Sequence, residues 1–345
     1  MRVAYLLPSL ERCGPVTMVH TLIRALQPGM EITVYYFRER ADRPRHRFPV
    51  PTRRIALWER LPFERYDLIH SHGLLPDLYL RLHRAGAKRV TTFHNFVEED
   101  LRRRHGKMMA GVAVAVWQWA TRRHDHIVVV SGKALEYYRG FWKNGRMSRI
   151  YNGVDESPGR QVKRAATLRR GRRIGVIASA GGAGAIGIKG VDRLIRALPA
   201  LPEYSVDVAG ALAEDEEHLR ALARELGVSE RVAFRGYCPE ISAFIREMDL
   251  CVVPSRTEGF SLALMEIVRE RKPVVCSDIP VFRELFGPDE VTFFGGEVSL
   301  AEAILDAVER GAAKSERAYR RFWESYRAAR MASDYRELYE RLVGE

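Results

Sequence analysis

Apolar positions along this chain follow two rhythms. Short apolar runs rich in valine, isoleucine and tyrosine alternate with longer stretches in which apolar residues recur every three or four positions. The first pattern predicts strands and the second amphipathic helices. In the first half, strands are expected over Arg2–Leu7, Ile32–Phe37, Asp67–Gly73, Val90–Asn95 and His126–Val130, and Arg149–Asp155 reads as a strand entering an Asn-Gly turn. A helix over Val16–Leu26 follows the turn Cys13-Gly14-Pro15, and the arginine-rich segment 38–54 reads as an exposed loop. In the second half, strands are predicted over Arg173–Ala178, Ser205–Ala209, Val232–Phe234, Leu250–Val253 and Pro273–Cys276. Helices over Val191–Leu198, 218–226 and 240–247 and an acidic loop at Glu214–Glu217 lie between them. A helix after every strand is the pattern of a parallel sheet covered on both faces. The polar, basic stretch 156–173 lacks either rhythm and reads as a linker. It predicts a first domain over 1–165, a second over 166–320, and terminal helices over 321–345 with Trp323, Tyr326, Tyr335, Leu338, Tyr339 and Leu342 as their apolar positions.

The stretch LCVVPSRTEGFSLALMEIVRERKPVVC, residues 250–276, organises the second half. A strand stands at each end, Pro254 stops the first, and Ser261 is placed to cap a helix that buries Leu262, Met265, Ile267 and Val268. Two carboxylates are fixed by this layout, Glu258 in the loop and Glu266 in the second helical turn. Ligands of open α/β sheets sit beyond the carboxyl ends of the strands, where free amides at a helix start favour phosphate. Carboxylates repel phosphate, so their natural partners in such a crevice are hydroxyls: a vicinal ribose diol for Glu266 and a second sugar for Glu258. A hydrogen bond to a charged acceptor contributes roughly 1.5–3 kcal/mol. Solvated acids at a helix start are the plainer alternative for any such string.

The segment Gly182-Ala183-Gly184-Ala185-Ile186-Gly187 satisfies the dinucleotide fingerprint between strand and helix, and Asp207 follows at about the spacing of a ribose-binding acid. An NAD-type oxidoreductase is therefore a rival. Against it, the loop is long, the helix starts only after Lys189-Gly190, and Asp207 lies in mid-strand. A small-residue loop carrying a lysine suits a diphosphate equally well. Histidines also stand at the ends of two predicted strands: His70 and His72 on one, His94 on another.

Together, PSRTEGFSLALMEIVRERKPVVCSDIP, the KG dipeptide Lys189-Gly190, TTFHN around His94, Ser131 and Asn152-Gly153-Val154-Asp155 resemble the retaining, nucleotide-sugar-dependent glycosyltransferases of family 4. The resemblance spans nearly the whole chain. It implies the α/β fold called GT-B, two Rossmann-like doubly wound parallel-sheet domains facing a central cleft, with the final helix crossing back to the first domain. It implies Glu258, His94 and Lys189 as catalytic residues, with Lys189 on the donor diphosphate. It further implies donor binding by Gly14, Gly236, Tyr237, Gly259, Phe260, Ser261, Leu262 and Glu266, and an acceptor side at His70 and His72. Where the family carries an arginine after the first strand of the second domain, this chain has Ala178 and Ser179, so Arg256 or a first-domain arginine is expected to substitute. The family's first-domain glycine pair is reduced to Cys13-Gly14. A non-catalytic nucleotide-sugar-binding module is the reading these two departures leave open.

Charge adds a partner. Of the formal charge of +12, residues 1–160 hold 28 Lys/Arg against 15 Asp/Glu, or +13, and residues 161–345 hold 28 against 29, or −1. A one-sided positive field implies an anionic partner. No zinc spacing, RNA-recognition signature or heptad repeat points to nucleic acid. Residues 101–123, with basic ends and Trp117 and Trp119, read either as an interfacial helix lying on anionic lipid or as a helix of the domain core, and the thirteen-residue apolar centre favours the core. The expected partners are thus a nucleotide-sugar donor, UDP-linked by preference, a glycan or lipid-linked acceptor of cell-surface polysaccharide assembly, and an anionic membrane surface met through the basic half. The four cysteines, Cys13, Cys238, Cys251 and Cys276, lack CxxC spacing, and MRVAYLLPSL lacks a signal-peptide layout. A cytoplasmic, reducing location is expected, at the inner membrane face. No Asp-x-Asp occurs, so no cofactor and no metal are expected.

Overall fold

The computed structural model describes residues 1–27, 29–40, 43–83, 86–142, 146–156, 172–178, 185–210 and 213–345. The chain divides into two compact units, Met1–Asp155 with Arg327–Glu345, and Glu156–Tyr326. The predicted limits stood at 165 and 320.

The first unit runs β1 (Arg2–Ser9), α1 (Gly14–Leu26), β2 (Glu31–Arg38), β3 (Thr52–Arg54), β4 (Leu68–Ser71), α2 (Leu74–Leu82), β5 (Lys88–Phe93), α3 (Val97–Thr121), β6 (His126–Val129), α4 (Gly132–Arg139) and β7 (Met147–Arg149). Its seven strands lie in the order β3-β2-β1-β4-β5-β6-β7 and pair in parallel throughout. Burial on both faces explains their continuous apolar runs; Val3 to Leu7 are fully buried. Strand order reverses between β1 and β4, so the loops after those strands splay apart at their carboxyl ends. Gly14 and the three histidines lie at strand carboxyl ends on this side of the sheet.

The second unit runs β8 (Arg172–Ile177), α5 (Ala185–Lys189), α6 (Val191–Ala197), β9 (Tyr204–Ala209), α7 (Ala213–Glu225), β10 (Val232–Gly236), α8 (Ile241–Glu247), β11 (Leu250–Val253), α9 (Leu262–Arg269), β12 (Val274–Ser277), α10 (Pro280–Leu285), β13 (Thr292–Phe294) and α11 (Leu300–Ser325). Its six strands are ordered β10-β9-β8-β11-β12-β13, again parallel, with the reversal between β8 and β11. Ile174, Val176, Val206, Val208, Val252 and Val275 of the sheet pack with Leu194, Ile195, Leu222 and Ile304 of the helices. A final helix, α12 (Ala328–Gly344), belongs to the first unit and packs on α1.

Several local expectations change. The strand expected at Arg149–Asp155 ends at Arg149, and only Val154 bridges, in parallel, to Arg327 at the start of α12. Gly153 makes that approach possible, because a Cβ there would lie 2.5 Å from the Arg327 carbonyl oxygen. Within the arginine-rich loop, Thr52–Arg54 forms an exposed edge strand. The acidic segment Glu214–Glu217 lies in the first turns of α7. The helix expected at 101–123 starts at Val97 and is interrupted at Gly106, with φ 81°.

Candidate functional site

In the second unit the loop after β11 and the turn before α6 are bolted together. Gly190 adopts φ 67°, and a Cβ there would lie 2.1 Å from the Pro254 carbonyl oxygen, so only glycine permits this contact. The Arg256 amide donates to the Ile188 carbonyl at 2.8 Å. Its guanidinium reaches the Gly187 carbonyl at 2.8 Å and forms a bidentate pair with Asp192 at 2.8 and 2.7 Å. Burial pushes the Asp192 carboxyl up, but the hydrogen bonds and charge of Arg256 outweigh it and hold the carboxyl below its ordinary value. Arg193 donates to the Pro254 carbonyl at 3.3 Å and the Ser277 hydroxyl at 3.1 Å.

This clamp brings two candidates into contact. Lys189 Nζ donates to Glu258 Oε1 at 2.7 Å, and Ser255 Oγ donates to the same oxygen at 2.8 Å. Glu258 is buried and Lys189 half-buried. Lys189 and Glu258, 69 positions apart, thus form one polar centre at the carboxyl end of β11. Arg256, the expected substitute for the absent family arginine, is committed to Asp192 and the Gly187 carbonyl. In this state its donors hold the loop together and are not presented to a phosphate.

Beyond Glu258, Gly259 and Phe260 are buried, and Phe260 meets Tyr326 edge-on with ring centroids 5.9 Å apart. Ser261 caps α9 as predicted, its hydroxyl accepting from the Leu264 amide at 3.3 Å. The helix buries Leu264, Met265, Ile267 and Val268, while Leu262 and Glu266 keep some surface. Among the described residues the Glu266 carboxylate has no hydrogen bond and no ion pair. Burial raises it to about 7, against a downward pull from Arg269 and an upward push from Glu270. Gly236 ends β10 with φ 58°, and Tyr237 beside it is 46% exposed.

The rival dinucleotide reading loses its acid. Asp207 is 3% exposed and clamped between Arg173, whose Nε donates at 3.0 Å, and Arg235. A ribose cannot reach it. Gly182 to Gly184 of the glycine-rich segment and Ser179 lie outside the described residues.

In the first unit His70 has no exposed surface. Its Nδ1 is 2.6 Å from the Tyr339 hydroxyl and its Nε2 2.8 Å from Thr92 Oγ1, and the network extends to Tyr5 and Tyr335. Burial, with His94 and His124 nearby, lowers its pKa far below the ordinary range. His70 therefore ties β4 and β5 to α12 and has no nitrogen left for an acceptor, which corrects the expectation drawn from its strand end. His72, 2% exposed, has Nδ1 3.0 Å from His94 Nε2. His94 retains some surface, and burial lowers it to about 4. Gly14 opens α1, and a Cβ there would meet no atom within 4 Å, so the space beside it is open.

Sequence reasoning missed Ser255, Asp192 and Tyr339, which position Glu258, Arg256 and His70. Ser255 and Asp192 flank motif residues and were within reach of a spacing argument; Tyr339 lies 269 positions from its partner and left no such signal.

Two family models match the chain, one described as "Glycosyltransferase Family 4" over residues 12–157 and one as "Glycosyl transferases group 1" over residues 184–324. A D-inositol 3-phosphate glycosyltransferase from Thermobispora bispora is 30% identical over 321 residues, covering 81% of this chain and 72% of that protein. The chain belongs to the family 4 glycosyltransferases. Another relative, the Escherichia coli O-antigen biosynthesis glycosyltransferase WclY, is 28% identical over 353 residues, covering 100% of this chain and 99% of WclY. Among solved structures, Anabaena Alr3699/HepE in complex with UDP superimposes with a TM-score of 0.80 at 18% identity, covering 98% of this chain and 99% of that one. The two Rossmann-like parallel-sheet units expected of a GT-B, family 4 glycosyltransferase are thus observed, and the oxidoreductase reading is not favoured.

Proposed function

We propose that this glycosyltransferase moves a sugar from a UDP-sugar to a glycan or lipid-linked acceptor in the assembly of an O-antigen-like or lipopolysaccharide glycan, with retention at the anomeric carbon and without a metal ion. The reading is supported by the WclY name and by UDP in the HepE complex. The observation that carries it is the Lys189–Glu258 centre beside the capped start of α9. Lys189 and the first amides of α9 neutralise the departing diphosphate, preorganised and poorly hydrated. Glu258 holds sugar hydroxyls, Glu266 the ribose diol, and Gly236 and Tyr237 line the base; Gly259, Phe260, Ser261 and Leu262 shape the phosphate site. Gly14 and His94 are the first-unit residues assigned to the donor, and His72 stands behind His94.

In a front-face displacement the bond from the anomeric carbon to the diphosphate oxygen breaks as the acceptor oxygen bonds to that carbon. The acceptor's proton passes to the departing phosphate oxygen, so no protein nucleophile is required. A panel of nucleotide sugars screened by thermal shift identifies the donor, and product NMR reads the anomeric configuration. Stabilisation by NAD but by no nucleotide sugar would refute the donor assignment. Undiminished transfer in excess EDTA is expected; loss restored by Mg²⁺ would overturn metal independence.

The first unit is further proposed to rest on anionic lipid from the cytoplasm. No described helix is long and apolar enough to cross a membrane. The crossovers through α2 and α3 both run in the direction β4-β5-β6, so these helices share one face of the sheet. Tyr79 of α2 donates to the Glu59 carbonyl, placing the 55–60 segment on that face too. There Leu57, Trp58, Leu82, Met108, Met109, Val112, Val116 and Trp119 are exposed, Trp58 at 84% and Met108 at 82%, among exposed Arg53, Arg60, Arg122 and Arg123. The expected helix is therefore half core and half surface: Ala110, Val114 and Ala120 are buried on its other side. Such apolar and cationic mixing suits an anionic headgroup layer. Co-flotation with anionic liposomes at low salt, lost with neutral liposomes, is expected; no retention on anionic liposomes would refute it.

A further inference from the structure

The second nitrogen of His72 is unaccounted for. Nε2 is buried and has no hydrogen-bond partner, while Nδ1 meets His94 Nε2 at 3.0 Å. The ring cannot easily turn, since it lies between His70, at a centroid distance of 4.2 Å, and Tyr5, stacked at 6.0 Å and 9°. Burial keeps both imidazoles neutral at physiological pH. Each ring then carries one proton, and one of the two nitrogens in contact must hold it.

Only two arrangements are open. If His94 Nε2 donates, His72 carries its proton on Nε2, and a buried N–H is left without an acceptor. If His72 Nδ1 donates, the buried Nε2 is a bare lone pair instead. Orphaned N–H groups are the rarer and costlier kind of unsatisfied buried group. The second arrangement wins, and it leaves the proton of His94 on Nδ1.

We propose that His72 is a positioning residue that sets the tautomer of His94, so that His94 offers its ligand an Nδ1–H donor and no proton-accepting nitrogen. His94 is then suited to a sugar hydroxyl or phosphate oxygen and unsuited to act as a general base. This rests on the assignment of His94 to the donor sugar, made above. It adds what state the ring is in and which residue imposes it.

The test needs no variant to begin. Long-range proton–nitrogen NMR correlation on the ¹⁵N-histidine-labelled full chain at neutral pH is expected to show His94 protonated at Nδ1 with a pyridine-like Nε2; His94→Gln identifies its signals. A His94 protonated on Nε2, or an even mixture, overturns the proposal. In His72→Phe, which fills a similar volume without a donor, the His94 signals are expected to move to the Nε2–H form or a mixture. There kcat is expected to fall about fivefold to tenfold, the worth of one ordinary hydrogen bond, with the KM for donor little changed. An unchanged His94 tautomer in a folded His72→Phe also overturns it. Full transfer activity in His94→Gln would instead sink the assignment of His94 to the donor and leave the tautomer result standing, so the two failures are separable.

Discussion

Glu266 offers a test in which stability and function move in opposite directions. Burial raises its carboxyl from the ordinary 4.5 to about 7, so the folded chain holds this proton more tightly than the unfolded chain does. Between those two values the folded state binds more protons, and stability must fall as pH rises through the window. Each pH unit is worth about 1.36 kcal/mol, so the full span amounts to about 3 kcal/mol, an upper figure because the side chain keeps some contact with water. Glu266→Gln removes the charge while keeping the shape. The variant should match the wild type near pH 4.5, gain on it steadily up to about pH 7, and hold a constant lead of up to about 3 kcal/mol above that. Urea denaturation of both proteins across that range and about a pH unit beyond it measures the difference, in which every other titrating group cancels to first order. If the glutamate serves to grip a ribose diol, the same substitution weakens nucleotide-sugar binding at about pH 8 by about 1.5–3 kcal/mol, roughly ten- to a hundredfold. A stability difference that is flat with pH would refute the burial argument. A stabilised variant with wild-type donor affinity would refute the diol.

Three further perturbations separate scaffold from chemistry. Gly190→Ala forces a side chain against the Pro254 carbonyl at φ 67°, and a loss of about 3 kcal/mol or more in unfolding free energy is expected, with transfer falling as Lys189 shifts; a melting temperature unchanged within a degree would refute the close approach. Glu258→Gln should lower kcat by at least about a hundredfold while circular dichroism shows the fold retained, and normal turnover would remove Glu258 from the reaction. His70→Phe should cost about 2–4 kcal/mol by stranding the Tyr339 and Thr92 hydroxyls, with donor affinity unchanged in the folded protein; a selective loss of acceptor use without destabilisation would restore His70 to the acceptor side.

The strands were legible because a parallel sheet buried on both faces demands unbroken apolar runs, and β1, β4, β11 and β12 are such runs. Glu258, Glu266 and the Ser261 cap were legible because they belong to one local segment, where spacing along the chain becomes geometry directly. What escaped was every feature whose cause lies far away in sequence. His70 and His94 looked equivalent, both histidines at strand ends, because period-two alternation says which face a residue occupies and not what covers that face. Tyr339 of α12 covers His70; nothing within the strand announces it. Edge strand β3 and the first turns of α7 were read as loops because charge masks short elements, although Thr52–Arg54 needs only the exposed side of β2 to pair with.

The same distinction explains why Arg256 was expected on a phosphate and is found on Asp192. A motif lists residue types, and an arginine beside a phosphate-binding loop reads as a phosphate ligand. The physical question is whether its donors are already spent. Arg256 has a carboxylate at 2.7 Å and a carbonyl at 2.8 Å, so recruiting it to a ligand means breaking a bidentate pair and loosening the clamp that holds Lys189 against Glu258. Lys189 carries a different constraint. Its partner, Glu258, is itself assigned to the ligand, so an incoming donor that supplies both a diphosphate and hydroxyls can exchange one set of contacts for two without stranding either charge. A bare diphosphate offers the lysine a partner but leaves the buried glutamate with only Ser255 and a like charge nearby. The sugar half of the donor is therefore needed for the exchange to be favourable, and calorimetry should find the intact nucleotide sugar bound more tightly than the nucleoside diphosphate, a preference that Glu258→Gln abolishes.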